Sequence, residues 1–122
     1  ESESRGLGDV YKRQDYIRTR VFPGSCVPSA SAMIAAAVKR SDLRPAALHD
    51  FGYHYSRTLR EWRIRFQENE EKIASLGYDE PFRRAWEYYL CYCEAGFEEG
   101  YTGDIHLLLA KPGCKLARGF PQ

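Results

Sequence analysis

Residues 50–66 read DFGYHYSRTLREWRIRF and decide the fold. Large apolar side chains recur in this stretch at helical spacing, at Tyr55, Leu59, Trp62 and Phe66. This spacing places them on one face of a helix. The residues up to Gly52 predict a strand that turns sharply into that helix. Because layered α/β proteins hold ligand-binding groups at such corners, we expect a functional side chain just after Gly52.

The composition bounds the class of protein. The chain has 122 residues, of which 43% are hydrophobic and 29% are charged, as is typical of a globular domain. Eighteen basic and seventeen acidic residues leave a net charge of +1, which gives no reason to expect nucleic acid as a partner. No apolar run approaches the roughly 20 residues of a transmembrane helix, and no signal peptide is visible. We therefore expect a cytoplasmic protein.

The chain divides into three parts by pattern. Residues 1–14, ESESRGLGDVYKRQ, have no apolar period, and the glycines at Gly6 and Gly8 follow a polar run rather than a strand. They do not form a cofactor loop, and the tract resembles translated adapter sequence. We expect residues 1–14 to be a non-native or disordered leader that packs against nothing. Residues 15–113 then form the folded portion, and residues 114–122 form a tail.

The cysteines and histidines predict neither a metal site nor a disulfide. The cysteines are Cys26, Cys91, Cys93 and Cys114, and no two of them form a CxxC pair. The three histidines have no zinc-binding spacing. Cys91 and Cys93 lie on different faces of a predicted helix, so we expect them to be separate, buried thiols.

Two strands and three helices are predicted around the opening stretch. The turn-rich loop FPGSCVPS at residues 22–29 ends at Ser29, which can cap a short helix. Residues 43–49 form a strand weakened by Pro45, and residues 105–110, IHLLLA, form a second, more apolar strand.

The two long helices lie between these strands in the sequence. The first is expected from about Tyr55 to Leu76, with Arg60 on its polar outer face and Gly77 as its C-cap. The second starts near Asp79, which is followed by an acidic residue and a proline that suit a first helical turn.

This second long helix has more apolar residues than one face can hold. One stripe contains Phe82, Trp86, Tyr89, Cys93 and Phe97, and a second contains Ala85, Tyr88, Tyr92 and Ala95. A narrow polar strip remains, at Arg83, Glu87, Glu94 and Glu98. The stripes fit an ordinary core. Because a short chain covers less of its surface, they also fit a further protein layer or an apolar ligand.

Four blocks in a fixed order carry a resemblance: FPGSCVPS, DFGYHYSRTLREW, FRRAWEYYLCYCEAGF and LLLAKPG. Over residues 15–113 they resemble the C-terminal part of cyclopropane-fatty-acyl-phospholipid synthases and of their mycolic-acid methyltransferase relatives. One block departs, because Ser25 stands where the family has a second glycine. The resemblance implies an α/β fold, the C-terminal part of a Rossmann-like class I methyltransferase. In this chain it would be mostly α, with two long helices and two short antiparallel strands.

The resemblance also implies a function. The family transfers a methyl group from S-adenosylmethionine to an acyl-chain double bond of phospholipids and closes a cyclopropane ring, with a bound bicarbonate as base. By its place in the FGxxY block, Tyr55 would orient the bicarbonate. The walls of the acyl channel would include Phe22, Pro23, Gly24, Tyr88 and Tyr89. The partners would be unsaturated phospholipid acyl chains, reached by peripheral contact with the membrane surface.

Two alternatives stay open at this stage. The family's methyl-donor loop precedes the FPG block, so the resemblance implies a fragment that is inactive alone. The alternative is a stand-alone helical module that binds an apolar ligand or a partner without catalysis. From the sequence pattern alone, Tyr55 is a packing residue at a helix start, and only the resemblance gives it a catalytic role.

Overall fold

Two long antiparallel helices and a two-stranded sheet form the structure, a computed structural model that describes residues 16–115. The elements are a π-helical turn at Ile17–Val21, α1 at Ala30–Arg40, β1 at Arg44–Asp50, α2 at Gly52–Glu68, α3 at Glu70–Ser75, α4 at Glu80–Glu98 and β2 at Ile105–Ala110. The expected mostly helical α/β architecture, with two long helices and two antiparallel strands, is confirmed. The predicted leader, residues 1–14, lies outside the described residues.

Two helices begin where the sequence predicted a capping side chain. The Ser29 hydroxyl accepts a hydrogen bond of 3.2 Å from the Ala32 amide at the start of α1. The Asp79 carboxylate accepts one of 3.0 Å from the Phe82 amide at the start of α4. Each cap satisfies an amide that has no partner within its helix, and such a contact stabilises a helix by about 1 kcal/mol.

The two strands pair with each other, as predicted. Strand β1 runs antiparallel to β2, with Leu48 opposite Leu107 and Asp50 opposite Ile105. The register shifts at Pro45, because proline has no amide hydrogen to donate to the ladder. Helices α2, α3 and α4 connect the two strands, so the pairing joins distant parts of the sequence.

The first long helix differs from its prediction at both its start and its middle. It begins at Gly52 rather than near Tyr55 and is interrupted at Asn69. The Asn69 side chain donates a 2.8 Å hydrogen bond to the Arg65 carbonyl, which also accepts the Asn69 backbone amide at 3.2 Å. The backbone of Asn69 departs from helical values, with φ −105° and ψ 18°, and this ends α2 before α3 starts. The predicted cap at Gly77 is present, with a φ of +96° that suits glycine.

The best-buried contact joins α2 and α4, where Leu59 is 2% exposed and Leu90 is 3% exposed. The prediction of buried thiols is wrong. Cys91 is exposed because α2 covers the other side of α4, and Cys93 is only half-buried. Within residues 16–115, no helix is both long and apolar enough to cross a bilayer.

Candidate functional site

The corner between β1 and α2 is held by close backbone contacts. The Asp50 carboxylate accepts a 2.8 Å hydrogen bond from the Gly52 amide, and the Phe51 amide donates one of 2.9 Å to the Asp104 carbonyl. A β-carbon at Gly52 would lie 3.0 Å from both the Asp104 nitrogen and the Gly103 α-carbon. Only glycine admits this approach, so the corner fixes where α2 starts.

Tyr55 lies in the first turn of α2, just after the corner, and its ring faces α4. Its ring meets the edge of Phe97 at a centroid distance of 4.9 Å and that of Trp62 at 6.0 Å. Within residues 16–115 its hydroxyl has no hydrogen-bond partner. A half-buried phenol with a free hydroxyl can therefore donate a hydrogen bond to a ligand placed between the two helices.

Tyr89 lies on α4 beside this cluster. Burial raises the pKa of Tyr89 to about 12, with further contributions from the Cys93 thiol, which hydrogen-bonds to it, and from nearby Tyr55. The Tyr89 ring contacts Trp86 at 4.9 Å and Phe22 at 6.2 Å. Tyr89 therefore links the loop that carries Phe22 to the surroundings of Tyr55.

The predicted channel residues separate into two places. Phe22 and Tyr89 are in contact, and Pro23 and Gly24 form the exposed turn that follows Phe22. Tyr88 points to another side of α4, where its ring lies 4.9 Å from that of Tyr16. The structure thus brings Phe22 and Tyr89 to the Tyr55 side of the helix pair but leaves Tyr88 apart.

An open groove of about 370 Å³ runs between α2 and α4 on the Tyr55 side. Its lining residues are Trp62, Arg65, Phe66, Trp86, Tyr89 and Leu90. The sequence placed Trp62 and Phe66 on a packing face, yet Trp62 is 46% exposed. The sequence analysis missed Arg65, which is the one charged residue in this lining.

A cluster of charged side chains joins the two helices on the opposite side. The Glu94 carboxylate accepts hydrogen bonds from Arg60 Nε at 2.7 Å and Arg63 Nε at 3.1 Å, and Arg60 also reaches Glu98 at 3.1 Å. Burial alone would raise the pKa of Glu94, but the two arginines outweigh it, so this pKa lies below its ordinary value. The same contacts, first the hydrogen bond to Glu94, raise the pKa of Arg60.

This cluster corrects one sequence prediction, because Glu94, assigned to a polar strip, is only 8% exposed. Arg60 is 48% exposed, as expected for the outer face, and also reaches across to Glu94 on α4. The spacing of three between Arg60 and Arg63, and of four between Glu94 and Glu98, was the available signal. It places each pair on one helix face but does not show that the two faces meet.

Comparison with known proteins gives a family and several relatives. The family model for mycolic acid cyclopropane synthetase matches residues 2–107. The tuberculostearic acid methyltransferase of Mycobacterium tuberculosis is 40% identical over 100 residues, which are 82% of this chain and 23% of that protein. The cyclopropane-fatty-acyl-phospholipid synthase of Escherichia coli is 32% identical over 75% of this chain and 22% of its own length. That of Citrobacter freundii is 41% identical over 59 residues, 48% of this chain and 62% of that protein.

The chain spans about a quarter of the length of the mycobacterial and Escherichia coli relatives. The family match begins at residue 2, inside the stretch set apart as a leader, and that boundary stays a prediction. The match covers most of the chain, including both long helices and the Tyr55 corner. The chain therefore belongs to the mycolic acid cyclopropane synthetase family.

Proposed function

We propose that this chain is part of an S-adenosylmethionine-dependent methyltransferase that adds a methylene group across an acyl-chain double bond of phospholipids. Family membership and the names of the relatives support lipid methyl transfer. The observation that carries the proposal is the Tyr55 hydroxyl, which has no hydrogen-bond partner within residues 16–115 and lies beside aromatic rings at the Gly52 corner.

The aromatic residues suit a reaction that passes through a cation. S-adenosylmethionine would supply the methyl group, and the resulting carbocation must lose a proton before the ring can close. The rings of Phe97 and Trp62 contact Tyr55, the phenol of Tyr89 lies near it, and these rings would exclude water that could capture the cation. Their π faces also favour positive charge nearby.

The Tyr55 hydroxyl fits the role of a donor to an anionic base. A hydrogen bond from a phenol would orient a bicarbonate ion, and the remaining contacts to that ion would come from other parts of the protein. In this proposal Tyr55 does not remove the proton itself. The raised pKa of Tyr89 keeps its phenol neutral, so it adds no charge to the site.

The resemblance places the family's methyl-donor loop before the FPG block. We assign donor binding to other parts of a longer protein and expect the 122-residue chain to be inactive alone. The longer protein would be cytoplasmic and would touch the membrane surface, where unsaturated phospholipids are found.

A tyrosine pair tests the assignment of Tyr55 in a longer protein that contains residues 15–113. We expect Tyr55→Phe to slow turnover roughly ten- to a hundred-fold, because a hydrogen bond to a charged group contributes about 1.5 to 3 kcal/mol. Binding of the methyl donor should not change. The matched control is Tyr53→Phe, since Tyr53 is 73% exposed on the same helix.

Turnover of unsaturated phospholipid by Tyr55→Phe at the parent rate, with an unchanged response to added bicarbonate, would overturn the assignment.

The second candidate is a non-catalytic module that binds an apolar ligand, and the groove lined by Trp62 and Trp86 favours it. The two differ in what precedes residue 15 in the genome. An in-frame glycine-rich strand–loop–helix there supports the enzyme, and a start codon near residue 15 supports the module.

A further inference from the structure

The groove between α2 and α4 contains Arg65 and lies next to Tyr55. Its lining residues on α2 are Trp62, Arg65 and Phe66, and Tyr55 lies outside this lining with its ring 6.0 Å from that of Trp62. At a rise of about 1.5 Å per residue, Tyr55 and Arg65 are about 15 Å apart along the helix axis. A ligand that reached from Arg65 past Trp62 to Tyr55 would therefore extend beyond the groove itself.

The walls of this groove suit an apolar chain. The indole of Trp86 and the rings of Trp62 and Phe66 form its sides, and Leu90 lies at its base. Trp62 is 46% exposed, which leaves a large apolar surface in contact with water. Exposed aromatic surfaces arranged around a concave groove are typical of ligand-binding sites.

Arg65 lines the groove and differs from the three arginines of α2 and α4 that form ion pairs, whereas within residues 16–115 Arg57 and Arg84 form none and lie outside the groove lining. Arg60 and Arg63 each bind Glu94, and Arg83 lies 3.6 Å from the Glu70 carboxylate. In the part of the chain that the structure describes, Arg65 forms no ion pair, although Glu61 and Glu68 lie one turn away on the same helix. Its guanidinium is thus available to an anion in this apolar groove.

We propose that this groove holds one acyl chain of a phospholipid and that Arg65 binds the headgroup phosphate of that lipid. The proposal rests on the proposed function and adds a headgroup contact at Arg65, about 15 Å along α2 from Tyr55. A long acyl chain that leaves the groove past Trp62 would bring its middle near Tyr55 when its phosphate lies at Arg65. Arg65 thereby fixes which carbons of the acyl chain reach the site.

The tryptophans provide a direct measurement of binding. The chain has two tryptophans, Trp62 and Trp86, and both line the groove, so intrinsic fluorescence reports on it. The probes are monomeric oleoyl lysophosphatidylglycerol, which carries a phosphate, and monooleoylglycerol, which has the same acyl chain and no charge. We expect the 122-residue chain to bind the phosphate-bearing probe at least ten-fold more tightly.

Variants at two arginines of the same helix separate the charge contact from packing. Arg65→Gln should lower the affinity for lysophosphatidylglycerol about ten-fold and leave that for monooleoylglycerol unchanged, since a charge-assisted hydrogen bond is lost. Arg65→Lys keeps the charge and should retain most of the binding. Arg57→Gln is the matched control, because Arg57 is exposed on α2 and does not line the groove.

Several results would overturn the proposal. The wild-type chain could bind both probes with equal affinity. Arg65→Gln could lose affinity for both probes equally, or Arg57→Gln could lose as much affinity for lysophosphatidylglycerol as Arg65→Gln does. A dimer in sedimentation that buries the tryptophans and persists with lipid present would assign the groove to a second copy. None of these measurements involves methyl transfer. If lipid binding at Arg65 is disproved, the proposed role of Tyr55 is unaffected. If Tyr55→Phe keeps full turnover, the lipid-binding results still test the role of Arg65.

Discussion

The two sides of the α2–α4 helix pair differ in the contacts that join the helices. On one side, Glu94 binds Arg60 and Arg63 and closes the contact between the helices. On the other side, aromatic rings such as Trp62 and Trp86 stand apart and leave a groove of about 370 Å³. The charged groups of the ionic side bind one another within the fold. The aromatic side leaves apolar surface and Arg65 available to a ligand.

Burial explains why the ionic side must be complete. A carboxylate that is 8% exposed, as Glu94 is, would be strongly destabilising without partners. Two arginines satisfy it and remain partly in contact with water themselves. The aromatic side has no such requirement, because exposing a ring costs less than burying an unpaired charge.

The largest expected effect comes from the line of contact between the two sides. Leu59→Ala should lower the free energy of unfolding by about 3 kcal/mol, because Leu59 is 2% exposed between the helices. Urea denaturation measures the change. The control is Leu76→Ala, at a residue that is 69% exposed, where we expect less than about 0.5 kcal/mol. Similar losses for the two variants would show that the helices do not pack through Leu59.

The second effect tests the ionic side. Glu94→Ala should lower the free energy of unfolding by about 2 to 3 kcal/mol, somewhat below the roughly 3 to 5 kcal/mol of a fully buried pair, because its partner Arg63 is partly exposed. Glu98→Ala removes an outer carboxylate, 48% exposed, and should cost under about 1 kcal/mol. If both variants lost the same free energy of unfolding, the contacts of Glu94 would stabilise the fold no more than an exposed ion pair does.

A third and smaller effect is the pH dependence of the same carboxylate. The pKa of Glu94 is lower in the folded chain than in the unfolded chain, so its contribution is complete above the ordinary glutamate value of about 4.3. That contribution is lost as the pH falls below this value and through the folded pKa. The stability difference between the parent and Glu94→Gln should therefore shrink as the pH falls below about 4.3. A difference that stayed constant as the pH was lowered further would contradict the lowered pKa.

Local signals predicted the parts of the fold that depend on neighbouring residues. Ser29 and Asp79 cap helices as predicted, because a cap requires only a side chain and an amide three residues later. The pairing of the two strands followed from the family resemblance and is confirmed. The break at Asn69 was missed, since the helical period continues through it and the side-chain bond to Arg65 leaves no periodic trace.

Long-range signals were weaker at the candidate site. The apolar stripe through Tyr55 and Trp62 identified the face of α2 that carries the candidate site. The stripe did not show that Trp62 lines an open groove, because the distance between two helices depends on all the side chains between them. For the same reason, the sequence did not reveal that Arg60 reaches across to Glu94 while Arg65 lines the groove.

The smallest expected effect concerns a single phenol on the aromatic side. The pKa of Tyr89 is raised to about 12, so its stabilising contribution is present below the ordinary tyrosine value of about 10 and is lost between about pH 10 and pH 12. Phenolate absorbance should include a late step from Tyr89. Tyr89→Phe should remove that step, whereas Tyr53→Phe, at an exposed residue, should leave it in place. If Tyr89→Phe instead removed absorbance near pH 10, Tyr89 would be open to water, and the aromatic side would lack the dry surface that the proposed chemistry needs.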